Sequence, residues 1–510
     1  MSTLSRRDFL KLFPGISASL ALTSLYPSLD SALLPVSDTP NIILLVLDAM
    51  SARNLSLYGY ARETTPNLSC FAERATVYHS HYAAGNFTSP ATASLLTGMY
   101  PWSHRAMNIK GTIKRSLLEK NLFALVGPEY FRTAFTQNML ADVFLRQSRA
   151  HIEMHLPLTT FHLNEKPILV SEEFQADPLI TSYAFDNPIV SYSMLNTLLL
   201  NYWNVLNWTN LKQYSAQSDD YPYGTPFNTY NYFHNDVVYE GVKKLVLRLA
   251  EQQKPFLAYF HLYSPHEPYV PRKEFVDIFA DLDIPTKWEH PLSTGKEKFS
   301  ALLGYRKHYD EFIANVDSEV GFLLHALDRE GILKNTYLFI LADHGQLFER
   351  GEHGHLTPLM YDPVLHIPLI VYAPGQKTRR DVFSPTSNVD ILPTILKILG
   401  KDIPASIEGK PLPGFGGQED DERSVFSIEA KRNSALLPLT QASISMIKGH
   451  KKLIYYLGYP GYEDSFELYD VQDDIEELND LFRKDIASAA IMKEELLGAL
   501  VSSNHALRTS

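Results

Sequence analysis

Cysteine is nearly missing from this chain of 510 residues: Cys70 stands alone. No internal disulfide can form, so stability must come from the core. A basic excess is missing too. Lys and Arg total 46 against 58 Asp and Glu, a formal net charge of −12. That balance argues against nucleic acid as the main partner, because a phosphate backbone needs clustered cations. An anionic substrate stays open, since a bound metal ion can dominate a local field. Beyond the N-terminus no apolar run approaches a membrane span. There is no internal repeat and no low-complexity tract. What remains is ordinary globular composition, 45% apolar and 20% charged, enough for a large core. Cys70 lies in Pro66-Asn67-Leu68-Ser69-Cys70-Phe71-Ala72, which reads as a helix with Pro at its first position; a buried structural thiol is expected there.

The N-terminus reads as an address. Ser5-Arg6-Arg7-Asp8-Phe9-Leu10-Lys11 resembles the twin-arginine export signal, and an apolar stretch from Leu12 to Leu25 follows. Pro14 and Gly15 break that stretch, which is too short for a comfortable span. The expectation is export to the periplasmic or extracellular side by the twin-arginine machinery. With no small-x-small site between Tyr26 and Pro40, an uncleaved tether stays open.

Asn41 to Leu47, Phe256 to Tyr263, Tyr337 to Ala342 and Ile367 to Tyr372 are continuous apolar runs. Each reads as a strand buried on both faces. Helical stretches separate them, at Asp236 to Gln252, Leu302 to Glu330 and Val389 to Leu399. The alternation predicts an α/β domain with a mostly parallel sheet. From about Val425, short alternating strands and a helix near Ile486 to Val501 predict a small antiparallel subdomain. The organisation is therefore 1–38 signal and linker, 39–424 main α/β domain, and 425–510 C-terminal subdomain. The aromatic-rich stretch 151–235 reads as an insertion over the active-site edge or a surface subdomain.

Asp48, His266, Asp343 and His344 all fall just past apolar runs, at the sheet edge where ligands bind. Two carboxylates and an imidazole suit a divalent cation. Thr88 opens Thr88-Ser89-Pro90, with Ser89 expected as the cap, Pro90 at the first helical position and Gly98 at the exit. A helix start favours an anion. A Thr88 oxygen on the same cation would lose its proton more readily and become a nucleophile. His266 stands between Pro265 and Pro268, in a stiff loop that suits a positioned acid or anion clamp, or is simply a turn histidine. His353 and His355 could bind a second metal, contact the substrate anion, or do neither. His79 and His81 are expected to face a packed interior or a polar rim.

These landmarks resemble the sulfatase branch of the alkaline phosphatase superfamily. The resemblance runs through Leu45-Val46-Leu47-Asp48, Thr65-Pro66-Asn67-Leu68, Thr88-Ser89-Pro90 to Gly98, Pro265-His266-Glu267-Pro268, Ala342-Asp343-His344-Gly345, Ile367-Pro368-Leu369 and Glu467-Leu468-Tyr469-Asp470. It implies an alkaline-phosphatase-like three-layer sandwich. Sulfatases of the usual type carry Cys or Ser followed by x-Pro-x-Arg and convert it to formylglycine. Here Thr88 and Thr92 occupy those two positions, which closes the formylglycine route, and Ala49 stands where the family often has a second Asp. Asp48, Thr88, Asp343 and His344 resemble the single-metal site (Ca, Mn, Mg or Zn) of the threonine-nucleophile relatives, with His353 and His355 as candidate substrate contacts.

The expected activity is metal-dependent hydrolysis of a sulfate or phosphate ester, with a small-molecule, glycan or lipid-headgroup substrate. Thr88 would attack and His266 would serve the leaving group. A phosphoglycerol- or phosphoethanolamine-type transferase is the first alternative, though such enzymes usually carry membrane spans. A non-catalytic binding protein on a decayed scaffold is the second, motivated by Ala49 and Thr92.

Overall fold

In the computed structural model, β1 (Asn41–Leu47) lies at the centre of the main sheet because its apolar residues leave no polar face. The structure describes residues 39–163, 217–228, 232–282, 284–285 and 287–509. The expected export segment 1–38 and most of the 151–235 insertion lie outside the described residues.

Seven further strands complete the sheet: β2 (Thr76–Tyr78), β3 (Phe131–Thr136), β4 (Met154–His155), β5 (Phe256–Leu262), β6 (Thr336–Leu341), β7 (Leu369–Tyr372) and β8 (Arg380–Val382). Their spatial order is β8-β2-β7-β6-β1-β5-β3-β4. Strands β6, β1, β5, β3 and β4 are mutually parallel, with Val46 beside His261 on one side and Leu341 on the other. The run at Ile367 to Tyr372 departs from the parallel expectation. Its strand β7 is antiparallel to both β6 and β2, so the chain leaves β6 and re-enters the sheet at the same edge, without a crossover.

Helices cover both faces: α1 (Pro66–Ala72), α2 (Thr88–Thr97), α3 (Met139–Gln147), α4 (Asn235–Ala250), α5 (Phe299–Arg329) and α6 (Ile391–Ile398). Alternation along β1 decides the partners. Ile42, Leu44 and Val46 share a core with Leu95 of α2 and Ile391 of α6. Ile43, Leu45 and Leu47 share one with Val242 of α4 and Val316 of α5. Each such side chain contributes about 1.5–3 kcal/mol on burial. In α1, Leu68, Phe71 and Ala72 take the inward face, so Cys70 is exposed, against the expectation of a buried thiol. No helix among the described residues is long and apolar enough to cross a membrane.

The C-terminal sheet is antiparallel, β9 (Ser424–Glu429), β10 (Ala442–Lys448), β11 (Lys451–Leu457) and β12 (Ser465–Asp470), with α7 (Ile486–Thr509) beside it. Ile444, Met446 and Leu453 pack with Met492 and Leu496 of that helix. A buried ion cluster ties this sheet to the main one: Lys452 Nζ lies 2.9 Å from Asp362 and 2.8 Å from Glu477.

The turn after β1 is strained and held. Ala49 has φ 60°, a left-handed conformation that costs a non-glycine residue about 1 kcal/mol or more. The Tyr309 hydroxyl, from α5, donates to Ala49 O at 2.6 Å and accepts from Ser51 N at 2.9 Å. Tyr309→Phe should therefore lose about 1–3 kcal/mol, read as a lower urea midpoint with an unchanged m-value.

Candidate active site

Four neighbouring strands, in the order β6-β1-β5-β3, deliver the polar residues to one edge. Asp48 follows β1, and Asp343 and His344 follow β6; all three are fully buried. His261 is the penultimate residue of β5, equally buried. Asn138 lies two residues beyond β3 and caps α3 through its Oδ1, which accepts from Leu140 N. Gly345 is required sterically. A Cβ there would meet Pro363 O at 2.2 Å, while its own N–H donates to Val364 O.

Around one point, His261 Nε2 lies 3.3 Å from Asp48 Oδ2 and 3.6 Å from Asp343 Oδ2. His344 Nε2 lies 3.6 Å from Asp48 Oδ1 and 3.5 Å from Asp343 Oδ2. Asp48 Oδ1, His261 Nε2 and Asp343 Oδ2 make no well-formed hydrogen bond although buried. Separations of roughly 3–3.6 Å between donors are what ligands about 2.1 Å from a shared ion would show. Asp48, His261 and Asp343 form the one such cluster among the described residues, and its donor set fits a divalent cation. Asp343 keeps Oδ2 free for it by spending Oδ1 on the backbone N–H groups of Ala49 and His344.

The electrostatics agree. Burial works to raise the Asp48 carboxyl, but the imidazoles of His266, His261 and His344 outweigh it and hold it at about 2. Asp343 is raised, first by burial and then by the charge of Asp48. Burial works against the charged form of His261, yet Asp343 and Asp48 raise it. Positive charge at the centre of the cluster would relieve the mutual repulsion.

Thr88 is the first residue of α2 and is buried. Its Oγ1 accepts from Asn138 Nδ2 at 3.1 Å and lies 3.4 Å from His344 Nε2. The same Asn138 amide donates to Asp48 Oδ2 at 2.6 Å. The cap geometry differs from the expectation: Phe87 is the N-cap, without a side-chain bond, and Ser89 turns away to donate to Ile109 O. The open N–H groups of this helix start therefore remain available to an anion. Gly98 ends α2 at φ 66° as expected.

His266 is half-buried, its Nδ1 donating to Glu267 O at 2.8 Å. Its ring centroid lies 4.9 Å from that of His355, which lies 4.3 Å from that of His344. His355 is pushed well below its ordinary pKa by burial and then by His344 and His266. A chain of hydrogen bonds backs it: His355 Nδ1 to Gln346 Oε1 at 2.8 Å, Gln346 Nε2 to Tyr269 OH at 2.5 Å, and Tyr269 OH to His353 Nε2 at 3.1 Å. His353 thus stands at the far end of the relay, stacked on Tyr305, rather than beside the strand-end cluster. His81 is fully buried, and His79 is a surface partner of Asp381.

Two residues escape sequence reasoning. His261 is hidden inside the apolar run Phe256 to Tyr263, where a lone imidazole next to a strand end was the available signal. Asn138 follows a strand of only six residues, Phe131–Thr136; applying the strand-end rule to it would have found the amide.

Carboxylates and imidazoles gathered beside a helix-start hydroxyl, on this sheet, define an ester hydrolase with the alkaline-phosphatase-like fold. The sulfatase family model matches residues 40–401, and the chain belongs to that family. A model for the N-sulphoglucosamine sulphohydrolase C-terminal region matches residues 351–502. The chain is 24% identical over 398 residues to an arylsulfatase of Clostridium perfringens, covering 73% of this chain and 77% of that one. It is similar in structure to the phosphonate monoester hydrolase of Agrobacterium radiobacter, with TM-score 0.65, 18% identity and coverage of 91% and 96%. It is also similar to a protein solved with its substrate D-glucosamine-2-N,6-O-disulfate, with TM-score 0.61, 18% identity and coverage of 93% and 99%.

A divalent cation added to chelator-treated protein should raise the melting temperature and saturate at about one ion per chain. His261→Ala should weaken that binding roughly tenfold or more, measured by calorimetric titration.

Proposed function

We propose that this chain is an exported, metal-dependent hydrolase that cleaves sulfate- or phosphate-type monoesters with Thr88 as nucleophile. The observation that carries this reading is the Thr88 hydroxyl at 3.4 Å from His344, tied through Asn138 to Asp48. Asp48, His261, Asp343 and His344 are the residues that would hold the ion. Two carboxylates with imidazoles suit Mn or Zn better than an all-oxygen calcium site. When bound, the cation supplies Lewis-acid stabilisation to the oxygens that carry charge in the reaction. Export rests on Arg6-Arg7 and the apolar stretch behind it.

In the first step Thr88 Oγ gives its proton to solvent water and forms a bond to the substrate's sulfur or phosphorus, while the ester bond to the organic group breaks and its electron pair stays on the departing oxygen. The helix start of α2 receives the anionic oxygens. His266 gives a proton to the departing oxygen, its ring held by the Glu267 carbonyl. In the second step water attacks the same central atom, releases sulfate or phosphate and restores the threonine hydroxyl. A threonine ester has no second hydroxyl from which to expel the anion, so this step must proceed at the central atom. That chemistry is easier at phosphorus than at sulfur. It makes phosphate- and phosphonate-type esters as strong candidates as the sulfate esters suggested by the relatives.

Purified protein loaded with Mn, Zn, Mg or Ca and given matched aryl sulfate, phosphate monoester, phosphonate monoester and phosphate diester substrates tests the reading. Thr88→Ala should abolish turnover on whichever ester is cleaved while metal content and melting temperature stay near the parent values. Retained turnover would move the nucleophile elsewhere. Asn138→Ala should lower kcat by roughly 10²-fold, with a smaller effect on KM, measured on the same ester.

A further inference from the structure

A second concavity lies beside Leu356, the residue that follows His355. The Asn86 amide donates to both His355 O at 2.8 Å and Thr357 O at 2.7 Å. The carbonyls on either side of Leu356 are thereby drawn inward, and the Leu356 side chain stands 47% exposed. It forms one wall of a cavity of about 290 Å³, bounded also by Pro291, Leu292, Tyr459, Lys431 and Arg432. The volume is near the lower end of small-ligand sites, the scale of one ring with its substituents. Leu292, Leu356 and Tyr459 supply apolar surface, Ser293, Thr294 and Gln441 add neutral polar groups, and Glu429, Lys431 and Arg432 are charged.

The charges do not balance. Glu429, also in the lining, is fully engaged: Lys431 Nζ lies 3.4 Å from Oε1, and the Tyr459 hydroxyl donates to Oε2 at 2.7 Å. Lys431 Nζ also donates to Leu356 O at 2.9 Å, and its backbone carbonyl accepts from Asn108 Nδ2 at 2.7 Å. Lys431 is therefore a strut between the C-terminal sheet and the loop that carries His355. Arg432 is exposed and has no carboxylate within ion-pair distance among the described residues. A guanidinium presented above an apolar wall pairs bidentately with a carboxylate or sulfonate-type oxygen pair.

We propose that this cavity is a subsite for the organic body of the ester, and that it selects a ring carrying a second anionic group, paired with Arg432. The proposal rests on the ester-hydrolase reading. In that arrangement the scissile group sits at Thr88, the leaving oxygen faces His266 and His355, and the ring extends past Leu356 onto Tyr459. Discrimination then comes from one uncompensated cation in the turn after β9, outside the catalytic cluster.

The test measures binding without turnover, on the full chain, so its failure is separate from that of the catalytic reading. Three probes are titrated by calorimetry: 4-nitrophenyl β-glucoside, 4-nitrophenyl β-glucuronide, and the glucoside's 6-deoxy-6-sulfonate, whose C–S bond is not hydrolysed. The glucuronide and the sulfonate should each bind at least about tenfold more tightly than the neutral glucoside, with the gap narrowing in 0.5 M salt (on the order of a 4 Å Debye length). Arg432→Ser should close the gap, and Arg432→Lys should restore part of it; the exposed position makes both variants compatible with folding. Equal binding of all three probes, no binding of any, or a gap that survives Arg432→Ser would overturn the proposal.

Discussion

Two carboxylates buried side by side, Asp48 and Asp343, set the terms for everything around them. Neither side chain reaches solvent: Asp343 is raised by burial and by the charge of Asp48, while the imidazoles of His266, His261 and His344 hold Asp48 low. Such a pair is costly unless positive charge meets it. Placing the two at the ends of adjacent parallel strands, with His261 on the next strand, converts that cost into a built cation seat.

The remainder of the site is rigid by construction. Asn138 spends its oxygen on the start of α3 and its amide on Asp48 and Thr88, so the hydroxyl is held between that amide and His344. Tyr309 clamps the strained turn at Ala49, and Asn86 fixes the loop behind His355. Tyr309 comes from a helix and Asn138 from a helix cap, while Asn86 sits just before the start of α2. Groups aimed in advance at developing charge need little reorganisation during reaction. The relay from His355 to His353 extends this order from the centre toward the surface.

Much of the fold was legible because β1 and β6 are uniform apolar runs and each ends in a chemistry-bearing residue. Asp48, Asp343 and His344 could be found on that ground and Thr88 from its helix-start pattern, and the structure brings the four together. What sequence pattern concealed has physical reasons. His261 breaks an apolar run by a single residue, and hydropathy averages over it. Asn138 looks like any helix cap until the neighbouring strand order is known. β7 looks parallel because a strand buried on both faces carries no mark of its direction. Cys70 was misplaced because a short helix offers too few residues to fix its inward face, which Leu68, Phe71 and Ala72 take.

The ion cluster between the two sheets has a consequence for biosynthesis. Asp362 lies in the segment just beyond the active-site loops, yet the ammonium that neutralises it belongs to Lys452, 90 residues later. Until that distant stretch is made, Asp362 lacks the ammonium that lies 2.9 Å from it in the folded chain. The C-terminal sheet therefore belongs to the same compact unit as the catalytic layer, Thr39–Ser510, rather than forming a separable appendage.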